Sequence, residues 1–257
     1  MNKRDDVILA TEGLTKDFGG FIAVDNVTLD FAPQRIYAVI GPNGAGKTTF
    51  FNLISGFLSP SSGRVLFKGE EISNLRPHQV ARLGIIRSFQ ITSVFTHLTV
   101  MENLKLALMR RDRREREFWK SGQSLRMYEE QALELVDHVF LPHHVLDEHS
   151  GLLPYGMKRS LELATALAMD PEIMLLDEPT AGMTAGDVTK ITTLIRKVAQ
   201  GRTVILIEHN LQVVADLAEM IVVLQRGAML TSGSYDEVRS DPRVIEAYLG
   251  SGATGHA

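Results

Sequence analysis

Gly41-Pro42-Asn43-Gly44-Ala45-Gly46-Lys47-Thr48-Thr49 is a glycine-rich loop with the spacing G-x-x-x-x-G-K-T. Glycines let consecutive backbone N–H groups turn inward on an oxyanion. Lys47 places a point charge against the outer phosphates of a nucleotide, and the Thr48 hydroxyl is spaced to reach Mg²⁺. The flanks give the loop its setting. Ile36-Tyr37-Ala38-Val39-Ile40 predicts a short buried strand, and Phe50, Leu53 and Ile54 recur at helical spacing until Gly56. Such a helix aims its N-terminal partial positive charge at the same phosphates. The stretch predicts a strand-loop-helix nucleotide site in an α/β chain.

Composition narrows the function classes. The chain has 257 residues, enough for a substantial core, and a formal net charge of −4. No long basic tract stands at either end, so the electrostatic footprint of a nucleic-acid binder is missing. With no cysteine there is neither a disulfide framework nor a thiolate metal site. Met1 to Asp6 lack the apolar core of a secretion signal, and no run approaches the ~18 apolar residues of a spanning helix. A membrane role is therefore expected to come through a partner.

Upstream of the loop, residues 7 to 31 predict antiparallel strands, because Val27, Leu29 and Phe31 alternate with Asn26, Thr28 and Asp30. Phe18, beside Gly19 and Gly20, is the candidate to stack on a purine, and Val24 is a further candidate nucleotide contact. Downstream, a turn at Ser59 to Gly63 leads into a strand expected over Arg64 to Lys68. A strand over Gly84 to Ile86 precedes Arg87-Ser88-Phe89-Gln90, and the Gln90 carbonyl is a candidate weak Mg²⁺ ligand. A helix with a capping box at Thr99 and Glu102, and a second through Leu133, Val136 and Phe140, predict a helical insertion. The charge-dense stretch Arg110 to Lys120 between them reads most simply as a solvated face.

Leu153-Pro154-Tyr155-Gly156-Met157 precedes a helix expected over Lys158 to Met169, with Pro154 suited to its first turn. Ile173-Met174-Leu175-Leu176 predicts a buried strand delivering Asp177 and Glu178, and Pro179 is expected to hold Glu178 out of helical geometry. Two acids at the end of a buried strand are costly without a metal or a chemical task. Asp177 suits a Mg²⁺ shell through water, and Glu178 suits a base acting on an attacking water. Thr184 and Asp187 resemble a helix N-cap pair. Thr203 to Ile207 predicts another buried strand, ending at His209, which could hydrogen-bond a terminal phosphate. A hairpin at Arg226-Gly227, a capping box at Ser234 and Glu237, a short helix through Val244 and Tyr248 and a disordered end from Gly250 complete the chain.

The phosphate loop, Gln90, Leu153 to Met157, Ile173 to Glu178 and His209 stand in the order and spacing of an ATP-binding cassette (ABC) ATPase, which the chain resembles over nearly its whole length. Arg87-Ser88-Phe89-Gln90, Leu153-Pro154-Tyr155-Gly156, Asp177 to Gly182 and Asp241 to Gly250 resemble in particular the ATPase subunits of branched-chain amino acid importers. The resemblance implies a phosphate-loop NTPase (RecA-like) core with an antiparallel β subdomain, at about 5–95 and 158–240. It also implies an α-helical insertion at about 96–157, and a C-terminal helix and tail at 241–257. ATP and Mg²⁺ are the implied cofactors. Two cassettes would face head to tail, each ATP lying between one phosphate loop and the other subunit's Pro154, Tyr155, Gly156 and Met157. By motif position Phe18 stacks on adenine, and Thr48 and Asp177 serve Mg²⁺. Gln90 then links that metal to a transmembrane permease, Glu178 is the base and His209 the γ-phosphate contact.

The family pattern over the helix-opening segment is L-S-G-G-Q. Here Pro154, Tyr155 and Met157 replace the serine, the first glycine and the glutamine, and Thr184 stands where the family often has aspartate. Loss of those polar contacts predicts a second, non-identical cassette as partner rather than a homodimer. A solute-binding protein is implied indirectly, and the expected location is the cytoplasmic face of the inner membrane, as a peripheral subunit. The alternatives are a lipopolysaccharide or lipid export ATPase, or a soluble cassette on nucleic acid or ribosomes, which the acidic balance disfavours.

Overall fold

The structure is a computed structural model that describes residues 6–88, 94–112 and 122–250. Two sheets organise it. β1 (Leu9–Asp17), β2 (Ile22–Phe31), β4 (Ser62–Phe67) and β5 (Glu70–Glu71) form an antiparallel sheet in the order β2-β1-β4-β5. β3 (Ile36–Ile40), β6 (Ile85–Ser88), β7 (Ile173–Asp177), β8 (Thr203–Ile207), β9 (Met220–Gln225) and β10 (Ala228–Gly233) form the second, in the order β10-β9-β3-β8-β7-β6. Its strands run parallel except β10, which pairs antiparallel to β9.

The all-apolar strands follow from burial on both faces. Along β3, Ile36, Ala38 and Ile40 face one core while Tyr37 and Val39 face the other; β7 and β8 divide their side chains in the same way. A strand with two buried faces reads as a continuous apolar run rather than an alternation. The core between the two sheets also takes α1 (Lys47–Ile54), which inserts Phe50, Phe51, Leu53 and Ile54. On the opposite face lie α3 (Val100–Arg111), α4 (Gly122–His138) and α5 (Tyr155–Leu167), packed on one another, with α6 (Ala185–Val198) and α7 (Leu211–Leu217). α2 (Pro77–Arg82), α8 (Tyr235–Ser240) and α9 (Pro242–Gly250) complete the α-helices among the described residues. None of these helices is long and apolar enough to cross a membrane.

Several boundaries differ from the sequence reading. β4 starts at Ser62 instead of Arg64, and β6 runs on to Ser88, which places Arg87 inside a strand. α5 starts at Tyr155, three residues before the expected Lys158, with Pro154 as its N-cap residue. Pro154 therefore stands just ahead of the helix, where a proline needs no N–H donor. Phe140 lies beyond α4 at φ +57, exposed, with the Lys197 ammonium 4.3 Å from its ring centre. The α4 core face is instead Tyr128, Ala132 and Val136, the true i, i+4 stripe. Both capping boxes form, at Thr99 with Glu102 and at Ser234 with Glu237. Most of the charge-dense stretch after Asp112 falls outside the described residues.

Phe50 is fully buried between the sheets. Phe50→Ala is expected to cost about 3–5 kcal/mol, as for buried phenylalanines in general. Urea unfolding should show a lowered midpoint at unchanged slope, and a loss below ~1 kcal/mol would contradict this packing.

Candidate functional site

β3 ends at Ile40 and the chain turns at once through Gly41, Gly44 and Gly46, at φ +151, +76 and +95, into α1. Two of these glycines are fixed by crowding. A Cβ on Gly41 would lie 2.1 Å from the Leu224 carbonyl oxygen, and one on Gly46 would lie 2.2 Å from that of Ala23. The turn of the β9–β10 hairpin braces the loop, with Gly227 N–H donating to Ala45 O at 3.1 Å. From the other side the Gly41 backbone hydrogen-bonds the Tyr248 hydroxyl of α9, whose acidity burial otherwise pushes down, raising its pKa.

Asn43 to Thr49 line a cavity of about 270 Å³, joined by Phe21, Ala23, Glu178 and His209. Lys47 is buried and its Nζ donates to the carbonyls of Gly41 at 2.7 Å and Pro42 at 3.1 Å. Burial pushes its pKa below the ordinary lysine value, against the nearby carboxylates of Glu178 and Asp177. An ammonium held at a cavity wall by neutral carbonyls, with carboxylates nearby, is arranged to gain from an anion entering beside it.

The aromatic at this cavity is Phe21, 67% exposed, and not Phe18. Phe18 is half-exposed, with Lys16 Nζ 5.3 Å from its ring centre. Val24, expected to contact nucleotide, is instead 0% exposed within the core between the sheets and does not line this cavity, whereas its neighbour Ala23 does. The period-2 alternation of β2 turns one of each adjacent pair inward, and here that one is Val24. Pro42 supports the loop through its carbonyl, which also accepts from Ala45 N–H at 3.1 Å.

At the end of β7, Asp177 is buried and ion-paired with Arg87 at 2.6 Å; Arg87 also donates to Asn52 at 2.6 Å. A buried acid needs such a partner, and Arg87, which sequence reasoning gave no role, supplies it from β6. Mg²⁺ keeps several waters and takes one or two protein groups together with phosphates. Thr48 at the cavity and Asp177 behind it fit that donor set. Gln90 lies outside the described residues.

Glu178 sits at φ +50, in the left-handed region and outside right-handed helical geometry. Its N–H donates to Ile207 O at 2.9 Å, which ties the start of this loop to the end of β8. Its Oε1 lies 2.7 Å from His209 Nε2, so the two residues meet at the cavity rim, each partly exposed. Carboxylate, imidazole and phosphate loop thus share one wall.

Pro154, Tyr155, Gly156 and Met157 do not line this cavity. Met157 packs partly against the helix-side core. The Tyr155 hydroxyl donates to Ala181 O at 3.1 Å and accepts from Arg159 Nη2 at 2.6 Å, bridging α5 to the loop after Glu178. Arg159 in turn pairs with buried Glu162 at 2.8 Å. Thr184 is the N-cap of α6 and accepts from Asp187 N–H at 3.3 Å.

A family model described as "ABC transporter" matches residues 24–181, and one described as "Branched-chain amino acid ATP-binding cassette transporter" matches residues 228–254. The high-affinity branched-chain amino acid transport ATP-binding protein BraF of Pseudomonas aeruginosa is 38% identical over 253 residues, covering 95% of this chain and 98% of that protein. LivG of Escherichia coli strain K12, described in the same words, is 36% identical over 257 residues with the same coverage. Among solved structures, the ADP conformation of MJ1267, an ATP-binding cassette of an ABC transporter, superposes with a TM-score of 0.81. It is 31% identical, and the match covers 95% of this chain and 99% of that one. The dimeric structure of MJ0796, a bacterial ABC transporter cassette, gives 0.73 at 25% identity, covering 88% and 98%.

Lys47→Ala is expected to weaken nucleoside triphosphate binding by about 1.5–3 kcal/mol, tenfold or more, since it deletes a charged donor at the cavity wall. Calorimetric titration checks it. Unchanged affinity in a folded variant would contradict the cradle.

Proposed function

Because the chain belongs to the ATP-binding cassettes of ABC transporters and hydrolyses ATP, we propose that it powers uptake of branched-chain or other hydrophobic amino acids. The observation that carries this reading is similarity to BraF and LivG over 95% of the chain, with the separate match at residues 228–254.

The geometry supports the chemistry of such a subunit. Backbone N–H groups of the loop and Lys47 hold the outer phosphates of ATP. Glu178, at the cavity rim, orients a water and takes its proton as the water oxygen bonds to the γ-phosphorus and the bond from that phosphorus to the bridging oxygen breaks, releasing ADP. His209, 2.7 Å from that carboxylate, donates to the terminal phosphate once nucleotide is present. Thr48 and Asp177 would hold Mg²⁺, which neutralises charge on the phosphates. In this reading Phe18 or Phe21 offers a ring to adenine, the rim position of Phe21 favouring the latter.

The working assembly in this proposal is a pair of cassettes on permease subunits at the cytoplasmic membrane face, fed by a solute-binding protein. The Pro154 to Met157 segment closes over the partner's ATP. Pro154 has no side-chain donor and caps α5 with no side-chain hydrogen bond. The partner is accordingly a second, non-identical cassette whose own segment covers the ATP on Lys47 and Glu178.

Glu178→Gln should retain ATP binding and lose steady-state hydrolysis by ~10²- to 10⁴-fold, the usual cost of removing a general base; turnover within a few-fold of wild type would remove Glu178 from that role. For the substrate class, a deletion strain should fail to take up radiolabelled leucine, isoleucine or valine, and normal uptake of these and of related amino acids contradicts the importer reading. The isolated chain should hydrolyse ATP slowly and gain from its partner cassette. A fully active ATP-bound homodimer, indifferent to Pro154→Ser, would contradict the asymmetric pair.

A further inference from the structure

Glu208 follows directly on β8 and is 3% exposed. A buried carboxylate is costly unless its oxygens are hydrogen-bonded, and each of these oxygens takes two donors. Oε1 accepts from the Thr180 N–H at 2.9 Å and from the Thr180 hydroxyl at 2.6 Å. Oε2 accepts from the N–H groups of His209 at 3.0 Å and Asn210 at 3.2 Å. The two oxygens thus hold two different loops, one carrying Glu178 and the other His209.

Each loop is secured beyond this carboxylate as well. On the first, Glu178 N–H donates to Ile207 O, Ala181 N–H donates to Glu178 O at 3.1 Å, and the Tyr155 hydroxyl donates to Ala181 O. On the second, Asn210 caps α7, its Oδ1 accepting from Gln212 and Val213 N–H. Glu178 itself stands in left-handed backbone, a conformation that persists only where its surroundings over-determine it. The side chains of Glu178 and His209 are each partly exposed, so their 2.7 Å approach depends strongly on where their backbones are set.

We propose that Glu208 is a positioning residue that sets Glu178 against His209 by holding the Thr180 loop and the His209–Asn210 loop on opposite oxygens of one buried carboxylate. It does not line the nucleotide cavity and acts through the two residues that do. Only a carboxylate suits the place, since it has two acceptor oxygens and no donor. A glutamine amide would turn an NH₂ group either toward the His209 and Asn210 N–H donors or toward the Thr180 N–H, and so loses an acceptor on one of the loops. The inference rests on the ATPase reading of this site.

The test measures kcat, KM and ATP affinity of the full chain, assembled with its partner subunits, for wild type, Glu208→Gln, Thr180→Val and Thr180→Ser. A misplacement of about 1 Å can cost ~100-fold in rate, so Glu208→Gln should lower kcat by about 10- to 100-fold. ATP affinity, set by the untouched phosphate loop, should stay within about twofold of wild type. Thr180→Val, which removes one donor at constant shape, should lower kcat several-fold, while Thr180→Ser should keep the wild-type value. A folded Glu208→Gln complex with wild-type kcat overturns the proposal, even if its melting temperature falls. If that variant does not fold, the threonine pair decides: equal kcat for Thr180→Val and Thr180→Ser overturns it. An inactive wild-type complex would instead count against the ATPase reading itself.

Discussion

A parallel strand buried on both faces can carry polar groups only at its ends, and that constraint places the charged residues of the candidate site. β3, β7 and β8 lie side by side with apolar side chains on both faces. Their polar residues therefore gather where the strands stop: Gly41 to Thr49 after β3, Asp177 and Glu178 at the end of β7, Glu208 and His209 after β8. Parallel strands point the same way, so these ends form one edge, the usual site of ligands on open α/β sheets. The cavity is built there.

The same edge concentrates the electrostatic cost of the fold. Asp177 and Glu208 are buried acids, and Lys47 is a buried base. Each is matched differently. Asp177 takes the Arg87 guanidinium, Glu208 takes four uncharged donors, and Lys47 rests on carbonyl oxygens. Removing one member of a buried pair costs more than the pair itself contributes. Glu208 is thereby satisfied inside the protein. Lys47 is the cation at the cavity, and it is the one that a phosphate can serve better.

Much of this was legible in the sequence, for identifiable reasons. The phosphate loop, the acids after Leu176 and the histidine after Ile207 are local patterns of residue type and spacing. So were the capping boxes, each contained within four residues. What escaped depends on distant partners: Arg87 meets Asp177 90 positions away, Glu208 meets Thr180 at 28, and Tyr155 meets Ala181 at 26. Val24 was misread because an apolar residue in a half-buried strand gives no sign of which core it enters. The left-handed backbone of Glu178 had no local sign in the sequence, because its loop is tied to the distant Ile207 and Glu208.

The central claim is that the edge built after β3, β7 and β8 recognises a nucleotide chiefly through its outer phosphates. Calorimetric titration of the purified chain with ATP, ADP and AMP tests it most directly. The account predicts that ATP and ADP bind and that AMP, which cannot reach Lys47 and the loop amides with outer phosphates, binds at least ~100-fold more weakly, the loss of two or more charged hydrogen bonds. AMP binding as tight as ATP would place recognition at the base and contradict it.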